Sequence, residues 1–320
     1  MKILLTGSTG FMGKNVLSAL LDSNFEVISP VRSISQGKLK NNHKNFLSVE
    51  GDFWDDLLFE TYKKFNPKVI IHLAALRGEG LGNFDEYHRV NIAGTEKLVD
   101  YALENHTELF IYCSTVGVYG TIPAALPADR ETIPEPDNNY HLSKYQAEKI
   151  VTEKLKDNIQ FVILRPTITY GPGDNGFLVR LVNLVKGKKF PLIRRPVNIH
   201  LLNIETFSSL IIKLVTNRIT VNGCLTVADR SPVLLSDLVN VIYNHYYSTD
   251  YPGYLKIPGF FYDLMKASAV LFKMSKLETS LRLVSESWYY DSTALQKDFP
   301  IVLTDTLQDI RSYLNNGYFE

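Results

Sequence analysis

Short apolar runs alternate with stretches of helical spacing through the first half of the chain. Residues 1–6 (Met-Lys-Ile-Leu-Leu-Thr) read as a strand, and Phe25–Ser29, Phe46–Val49, Lys68–Leu73, Leu109–Ser114 and Gln160–Arg165 repeat the signature. Each is rich in β-branched or aromatic residues, as expected of strands covered on both faces. Helical spacing falls over Lys14–Leu21, Tyr87–Glu104, Tyr140–Lys156 and Phe177–Lys186. Strand and helix in alternation predict an α/β fold, a doubly wound parallel sheet followed by a smaller C-terminal α/β portion. Beyond about Gly171 the pattern loosens, leaving Gly223–Ala228 as a further strand and Leu235–Tyr246 as a helix with Ser236 available to cap it. The expected division is 1–172 and 173–320, with the 223–228 strand returning to the main sheet.

The first strand runs directly into Gly7-Ser-Thr9-Gly10-Phe11-Met12-Gly13 and then into a helix. That context turns a glycine pattern into a nucleotide-binding expectation. Gly7 permits the tight turn, Gly10 lets backbone approach a pyrophosphate, and Gly13 lets the helix pack on the sheet. The N–H groups and dipole at the helix start then face the phosphate charge.

Composition narrows the classes. Lys+Arg and Asp+Glu are equal at 34 each, so no charge excess points to nucleic acid or a membrane surface. Cys113 and Cys224 offer neither metal spacing nor a disulfide framework; no metal is expected, and a reducing cytoplasm suits them. The apolar Ala267–Leu271 region is too short to span a membrane and is flanked by Lys266 and Lys273. Neither a membrane nor a nucleic acid is expected as partner.

Candidate chemistry lies at Ser114-Thr115, which follow a strand, and at Tyr140-His-Leu-Ser143-Lys144, where Tyr and Lys four apart share a helix face. A lysine cation beside a phenol eases its ionisation, so Tyr140 is the expected acid/base and Thr115 the group that holds a substrate oxygen. Two other pairs have the same spacing, Tyr145/Lys149 and Tyr262/Lys266. Position selects Tyr140/Lys144, which follows the Thr115 strand and begins a helix after a proline-rich loop.

These residues resemble the extended short-chain dehydrogenase/reductase family, the NAD(P)-dependent sugar-nucleotide epimerase, dehydratase and reductase group. Gly7/Gly10/Gly13 resembles its glycine turn, Gly51-Asp52 its adenine-side acid, His72-Leu-Ala-Ala75 the loop beneath the cofactor, and Asn91-Ile-Ala-Gly94-Thr95 its helix motif. Tyr140-His-Leu-Ser-Lys144 fits the fuller Tyr-x-x-Ser-Lys form. Arg165-Pro166-Thr167 with Tyr170-Gly-Pro-Gly173 resembles the nicotinamide-side segment, and Ser287–Asn316, with Phe299-Pro300, the C-terminal tail. The resemblance implies a Rossmann-type N-terminal sheet and a substrate-binding C-terminal portion, with the active site in the cleft between them. It implies cofactor contacts at Gly7, Thr9, Gly10, Phe11, Met12, Gly13, Asp52, Phe53, Leu73, Ala74, Ala75, Asn91, Ser114, Tyr140, Lys144, Pro166 and Thr167. Lys144 would bind the nicotinamide ribose and tune Tyr140. Substrate contacts are expected at Thr115, Asn175, Phe177 and Arg180, and a homodimer through the helices near Tyr87–Glu104 and Tyr140–Lys156.

Two departures sharpen the expectation. The second strand ends Val27-Ile-Ser29-Pro-Val-Arg32 without the acid that meets the ribose hydroxyls in NAD-specific members. Arg32, with Ser29, is placed to meet the extra phosphate of NADP, which is favoured over NAD. Thr115 is followed by Val116-Gly117, where family dehydratases resemble one another in carrying Asp-Glu, so water loss is not expected. The leading expectation is an NADP-dependent reductase of a 4-keto nucleotide sugar. An NAD-dependent nucleotide-sugar 4-epimerase is the alternative. A non-catalytic NADP(H) sensor is the reading from another class.

Overall fold

The computed structural model describes residues 1–32, 43–78, 83–217, 222–299 and 301–319; Pro300 of the tail motif lies outside them. Two compact units share the chain. The first comprises Met1–Val118, Pro136–Pro166 and Phe207–Leu225, and the second Tyr119–Glu135, Thr167–Thr206 and Thr226–Glu320. The chain thus passes between units several times, and the Gly223–Val227 strand stands in the main sheet.

The sheet of the first unit is built from β1 (Lys2–Thr6), β2 (Glu26–Val31), β3 (Phe46–Glu50), β4 (Val69–His72), β5 (Leu109–Cys113), β6 (Gln160–Pro166) and β7 (Gly223–Val227). Their order is β7-β6-β5-β4-β1-β2-β3, with the strands from β1 to β6 paired in parallel. The chain winds outward from β1 to β3 and returns to the other side of β1 with β4. The connections after β1 and β4 therefore part, opening the crevice where open parallel sheets bind ligands. Side chains of Leu4, Ile28, Ile70, Phe110 and Ile163 form one apolar face, closed by Tyr62, Leu98, Ala102 and Val151 from the helices.

Helix α1 (Phe11–Asp22) buries Val16, Leu17, Leu20 and Leu21, the stripe expected of a helix laid on a sheet. Helix α2 (Asp56–Phe65) and α3 (Gly94–Glu104) follow. The helix expected over Tyr87–Glu104 is present without a break, but its first part changes hydrogen-bond pattern. A π-helical turn at His88–Ala93 precedes α3, and turns of this kind recur at functional sites. Helix α4 (Asn139–Leu155) starts at Asn138, whose side chain accepts the His141 N–H as an N-cap.

In the second unit, Asp229 is the organising polar group. Its carboxylate accepts from the Asn203 N–H (2.7 Å), the Thr306 hydroxyl (2.6 Å) and the Tyr170 hydroxyl (2.9 Å), and burial pushes its pKa up to about 6. Helix α5 (Phe177–Lys186) lies where expected. Two further helices, α6 (Gly259–Leu271) and α7 (Ser275–Ser285), fall in the stretch where the sequence showed no regular pattern.

Candidate active site

The glycine turn separates into positions the fold requires and one it does not. Gly7 has φ +77°, and a Cβ there would lie 2.7 Å from the Ala74 nitrogen. At Gly13 a Cβ would sit 2.0 Å from the Gly7 carbonyl oxygen. Packing alone dictates both glycines. A Cβ at the exposed Gly10 would meet only the Gly7 oxygen, at 3.4 Å, so its glycine is explained by close approach from outside. Gly10 also caps α1 without any side-chain hydrogen bond, and the first turn carries no acid. The free N–H groups and positive helix end are ready for an anion. This turn fits the pyrophosphate of a dinucleotide.

A continuous polar chain fixes the neighbouring loop. The Ala74 N–H donates to Thr6 Oγ1 (3.1 Å), and the Thr6 hydroxyl donates to His72 Nδ1 (2.7 Å). His72 Nε2–H donates to Thr95 Oγ1 (2.9 Å), and the Thr95 hydroxyl donates to the Asn91 carbonyl (2.7 Å). Fully buried, His72 is held well below the usual histidine range, first by desolvation and then by the charge of Lys144. It is a neutral structural link. The Asn91 amide clamps Leu76 in both directions (2.8 and 3.0 Å) and donates to Ser143 Oγ (2.9 Å). Asn91 is thus a buried brace between the loop and α4, and its side chain is not a direct cofactor contact as the motif suggested. Leu73, Ala74 and Ala75 are half-buried on the same loop.

On α4, Lys144 is only 1% exposed, and none of the described hydrogen bonds ends on its ammonium. It lies 4.1 Å above the Tyr112 ring. Desolvation lowers its pKa to about 8, opposed by Cys113 and Glu148. A buried cation short of hydrogen-bond acceptors fits the hydroxyls of a ribose. Glu148, one turn on, is locked in a buried bidentate pair with Arg165 (3.0 and 2.6 Å). Cys113 is a buried free thiol, pushed up to about 11 by burial.

Tyr140 is half-buried. Burial dominates its ionisation and raises the phenol above its ordinary value, with Arg77 the cation that pulls it back. The Lys144 ammonium lies over the Tyr112 ring. Thr115, half-buried just past β5, accepts the Gly117 N–H (3.0 Å) on its hydroxyl oxygen, leaving its own proton free to donate. The Ser114 hydroxyl is buried with no partner among the described residues, and so is that of Thr167 in the second unit.

His141 is the residue that sequence reasoning missed. A Cβ on Gly117 would lie 2.2 Å from its Nε2, so the absent side chain at 117 makes room for the imidazole. His141 Nδ1 lies 2.8 Å from both the Asp137 carboxylate and Asn138 Nδ2, and that carboxylate also accepts from Asn138 Nδ2 (3.2 Å). The only signal was the glycine beside Thr115, and its partner lies far along the chain.

Other expectations need correction. Ser29 is fully buried and donates to Ser8 (2.6 Å), so it cannot meet a cofactor phosphate; exposed Arg32 remains. Phe53 packs its ring on His72 (4.7 Å) and under Gly94, leaving only its main chain to face a ligand. Thr9, Phe11, Met12 and Asp52 are half-buried around the turn, and Pro166 ends β6. Asn175 and Arg180 are exposed in the second unit, where Phe177 rests against Trp288 (6.2 Å). No cluster of metal-ligating side chains occurs among the described residues.

The sequence profile of the NAD dependent epimerase/dehydratase family matches residues 3–199. The chain belongs to this family. A UDP-glucose 4-epimerase of Vibrio cholerae is 33% identical over 247 residues, covering 74% of this chain and 73% of that protein. A GDP-6-deoxy-D-talose 4-dehydrogenase of Aggregatibacter actinomycetemcomitans is 29% identical over 248 residues, covering 75% and 74%. The structure of a UDP-glucuronic acid 4-epimerase from Bacillus cereus in complex with NAD superposes with a TM-score of 0.74 at 20% identity, covering 99% of this chain and 100% of that one. This likeness shows a shared fold. As an epimerase/dehydratase-family chain, the protein is an enzyme, and the geometry around Tyr140 and Lys144 is its candidate reaction centre.

Proposed function

We propose that the chain is an NADP-preferring oxidoreductase acting at C4 of a sugar carried on a nucleoside diphosphate, with reduction of a 4-keto sugar as its net reaction. The observation that carries this reading is a buried, acceptor-free Lys144 one turn beyond Tyr140 on α4. Gly10 and the uncapped start of α1 would hold the pyrophosphate, Lys144 the nicotinamide ribose, and Arg32 the adenosine 2′-phosphate. When bound, the nicotinamide supplies the hydride. Tyr140, whose phenol stays protonated at neutral pH, gives its proton to the sugar oxygen. The Thr115 hydroxyl holds that oxygen by hydrogen bond. Attack at C4 is supported by the two relatives above, whose names both specify that carbon.

The second reading is a nucleotide-sugar 4-epimerase, which uses the same groups for oxidation and re-reduction. The Vibrio cholerae relative favours it. The absent acid at the end of β2 favours the reductase. The purified chain, analysed by mass spectrometry for co-purified nucleotide and titrated with NADPH and NADH, separates the two. Preferential NADPH binding with consumption of a 4-keto nucleotide sugar supports the reductase. Retained NAD with interconversion of UDP-sugars and no net NADPH use overturns it. Tyr140→Phe is expected to lower turnover by about 100-fold or more with cofactor affinity unchanged. Undiminished biological activity in that variant would instead mark a sensor.

A further inference from the structure

Helix α6 is apolar on the side that faces solvent. Its inward face buries Tyr262 and Ala269, and the Tyr262 hydroxyl donates to the Pro191 carbonyl. Outward, Phe260 (62% exposed), Leu264 (62%) and Leu271 (75%) fall at helical spacing on one stripe, flanked by Phe261. Phe272 (71% exposed), Met274 and Leu277 extend this surface through the turn into α7. Single exposed apolar residues are ordinary; a contiguous set of this size marks an interaction surface.

The charge around this surface is one-sided, although the chain as a whole is balanced. Between Tyr254 and Leu277 four lysines stand against one acid. That acid, Asp263, is tied to Lys266 (3.2 Å) and Arg195 (3.3 Å), and Glu286 is tied to Lys266 (2.5 Å). Lys273 and Lys276 at the turn are exposed and make no ion pair among the described residues, with Glu278 the acid nearby in sequence. At the other end of α6 a groove of about 450 Å³ is lined by Arg194, Arg195, Lys256 and Ser236. It sits where Leu192–Ile193 pairs with Lys256–Ile257, directly before the helix. Guanidinium groups beside an ammonium suit phosphate oxygens.

We propose that the α6–α7 hairpin docks on an anionic lipid bilayer. Phe260, Leu264, Leu271 and Phe272 enter the headgroup–acyl boundary, and Arg194, Lys256, Lys273 and Lys276 meet lipid phosphates. An apolar face rimmed by unpaired lysines is the pattern of helices that lie in the interface plane. Spanning is excluded for this hairpin: α6 has 13 residues, about 20 Å of helix against a hydrocarbon core of about 30 Å. No helix of the described residues is long and apolar enough to cross a membrane. A second copy of the chain is the lesser fit, because a two-fold contact through this surface would bring Lys273 and Lys276 against a patch of the same sign. The proposal does not depend on the C4 chemistry.

The test is co-sedimentation of the full chain with phosphatidylcholine vesicles and with vesicles enriched in phosphatidylglycerol. Binding to the anionic vesicles that weakens with salt is expected. Leu264→Ser/Leu271→Ser, at exposed positions, should reduce it by about tenfold or more with an unchanged melting temperature. Lys273→Glu/Lys276→Glu should abolish the preference for phosphatidylglycerol. Absence of binding to either vesicle overturns the proposal. So does concentration-dependent dimerisation lost in the Leu264→Ser/Leu271→Ser variant, which assigns the surface to a second copy.

Discussion

Lys144→Met is expected to stabilise the cofactor-free protein while destroying its activity. Methionine matches the length of lysine and fills the same buried space without a charge. The drop of the Lys144 pKa from 10.5 to about 8 corresponds, at about 1.4 kcal/mol per pH unit, to about 3 kcal/mol. The unfolded chain holds this proton up to 10.5, whereas the folded chain releases it near 8. Between those values the unfolded state binds more protons, so this site makes unfolding harder as pH rises. Below about pH 8 the full penalty is present. Methionine removes it but also removes the cation over Tyr112, worth about 0.5–2 kcal/mol. The net gain at pH 7 is about 1–3 kcal/mol, a few degrees in melting temperature.

Paired thermal melts of wild type and variant at pH 7 and pH 10, with and without NADPH, read this out. The variant should melt higher at pH 7, and its advantage should shrink toward pH 10 as the wild-type lysine loses its proton. Cofactor should raise the wild-type melting temperature more than the variant's, since the ribose hydroxyls supply the missing acceptors. A variant that melts lower at pH 7, or whose advantage ignores pH, refutes the reasoning.

Three further substitutions probe the same unit. Gly10→Ala should melt within about 1 kcal/mol of wild type yet bind NAD(P)H weakly by fluorescence titration, whereas Gly13→Ala, with its methyl 2.0 Å from the Gly7 oxygen, should lose about 1–3 kcal/mol or more; equal effects at both positions would contradict the division drawn between them. Glu148→Ala strips the buried Arg165 of its carboxylate and should cost about 3–5 kcal/mol in denaturant unfolding, with retained stability counting against the pair as a structural tie.

The parts of this protein legible in its sequence are those where local covalent logic and burial agree. Strand, glycine turn and helix at residues 2–22 are such a case, since Gly13 is required by the turn a few residues before it and Gly7 by the loop after the adjacent strand. What a motif does not encode is the direction a side chain takes. Asn91 and Ser29 stand in segments the motifs pointed to, yet both turn inward, Asn91 onto Leu76 and Ser143 and Ser29 onto Ser8. Pairing of Gly117 with His141 was hidden for a similar reason: a glycine reports that something comes close, never what. Helix α6 escaped because helical periodicity is recognised by an apolar face that turns inward with a polar one outside. Here the outer face is apolar too, so the stripe vanishes from the pattern.

In the first unit, three groups of the candidate site lack partners among the described residues, the N–H groups at the start of α1, the Ser114 hydroxyl and the Lys144 ammonium, as do the buried hydroxyls of Tyr62, Tyr101, Thr107 and Tyr112 elsewhere in the unit. A fold selected only for stability would cap the helix and put an apolar residue at 144, and neither change needs a new backbone. All three belong to the glycine turn after β1, the end of β5 and the α4 helix that packs beside them. Their shared deficiency is one of acceptors or anions rather than of apolar contact. On the proposed reading a diphosphate would meet the first need and ribose hydroxyls the third, so one dinucleotide would repair deficits that separate mutations would have to remove one by one. The polar chain from Ala74 through His72 to Asn91 and Ser143 is satisfied throughout, and it holds the loop and α4 in register before any ligand arrives. On the proposed reading, the groups that would meet the cofactor await partners while those that position them are already bonded to one another, which is the distribution pre-organised binding requires.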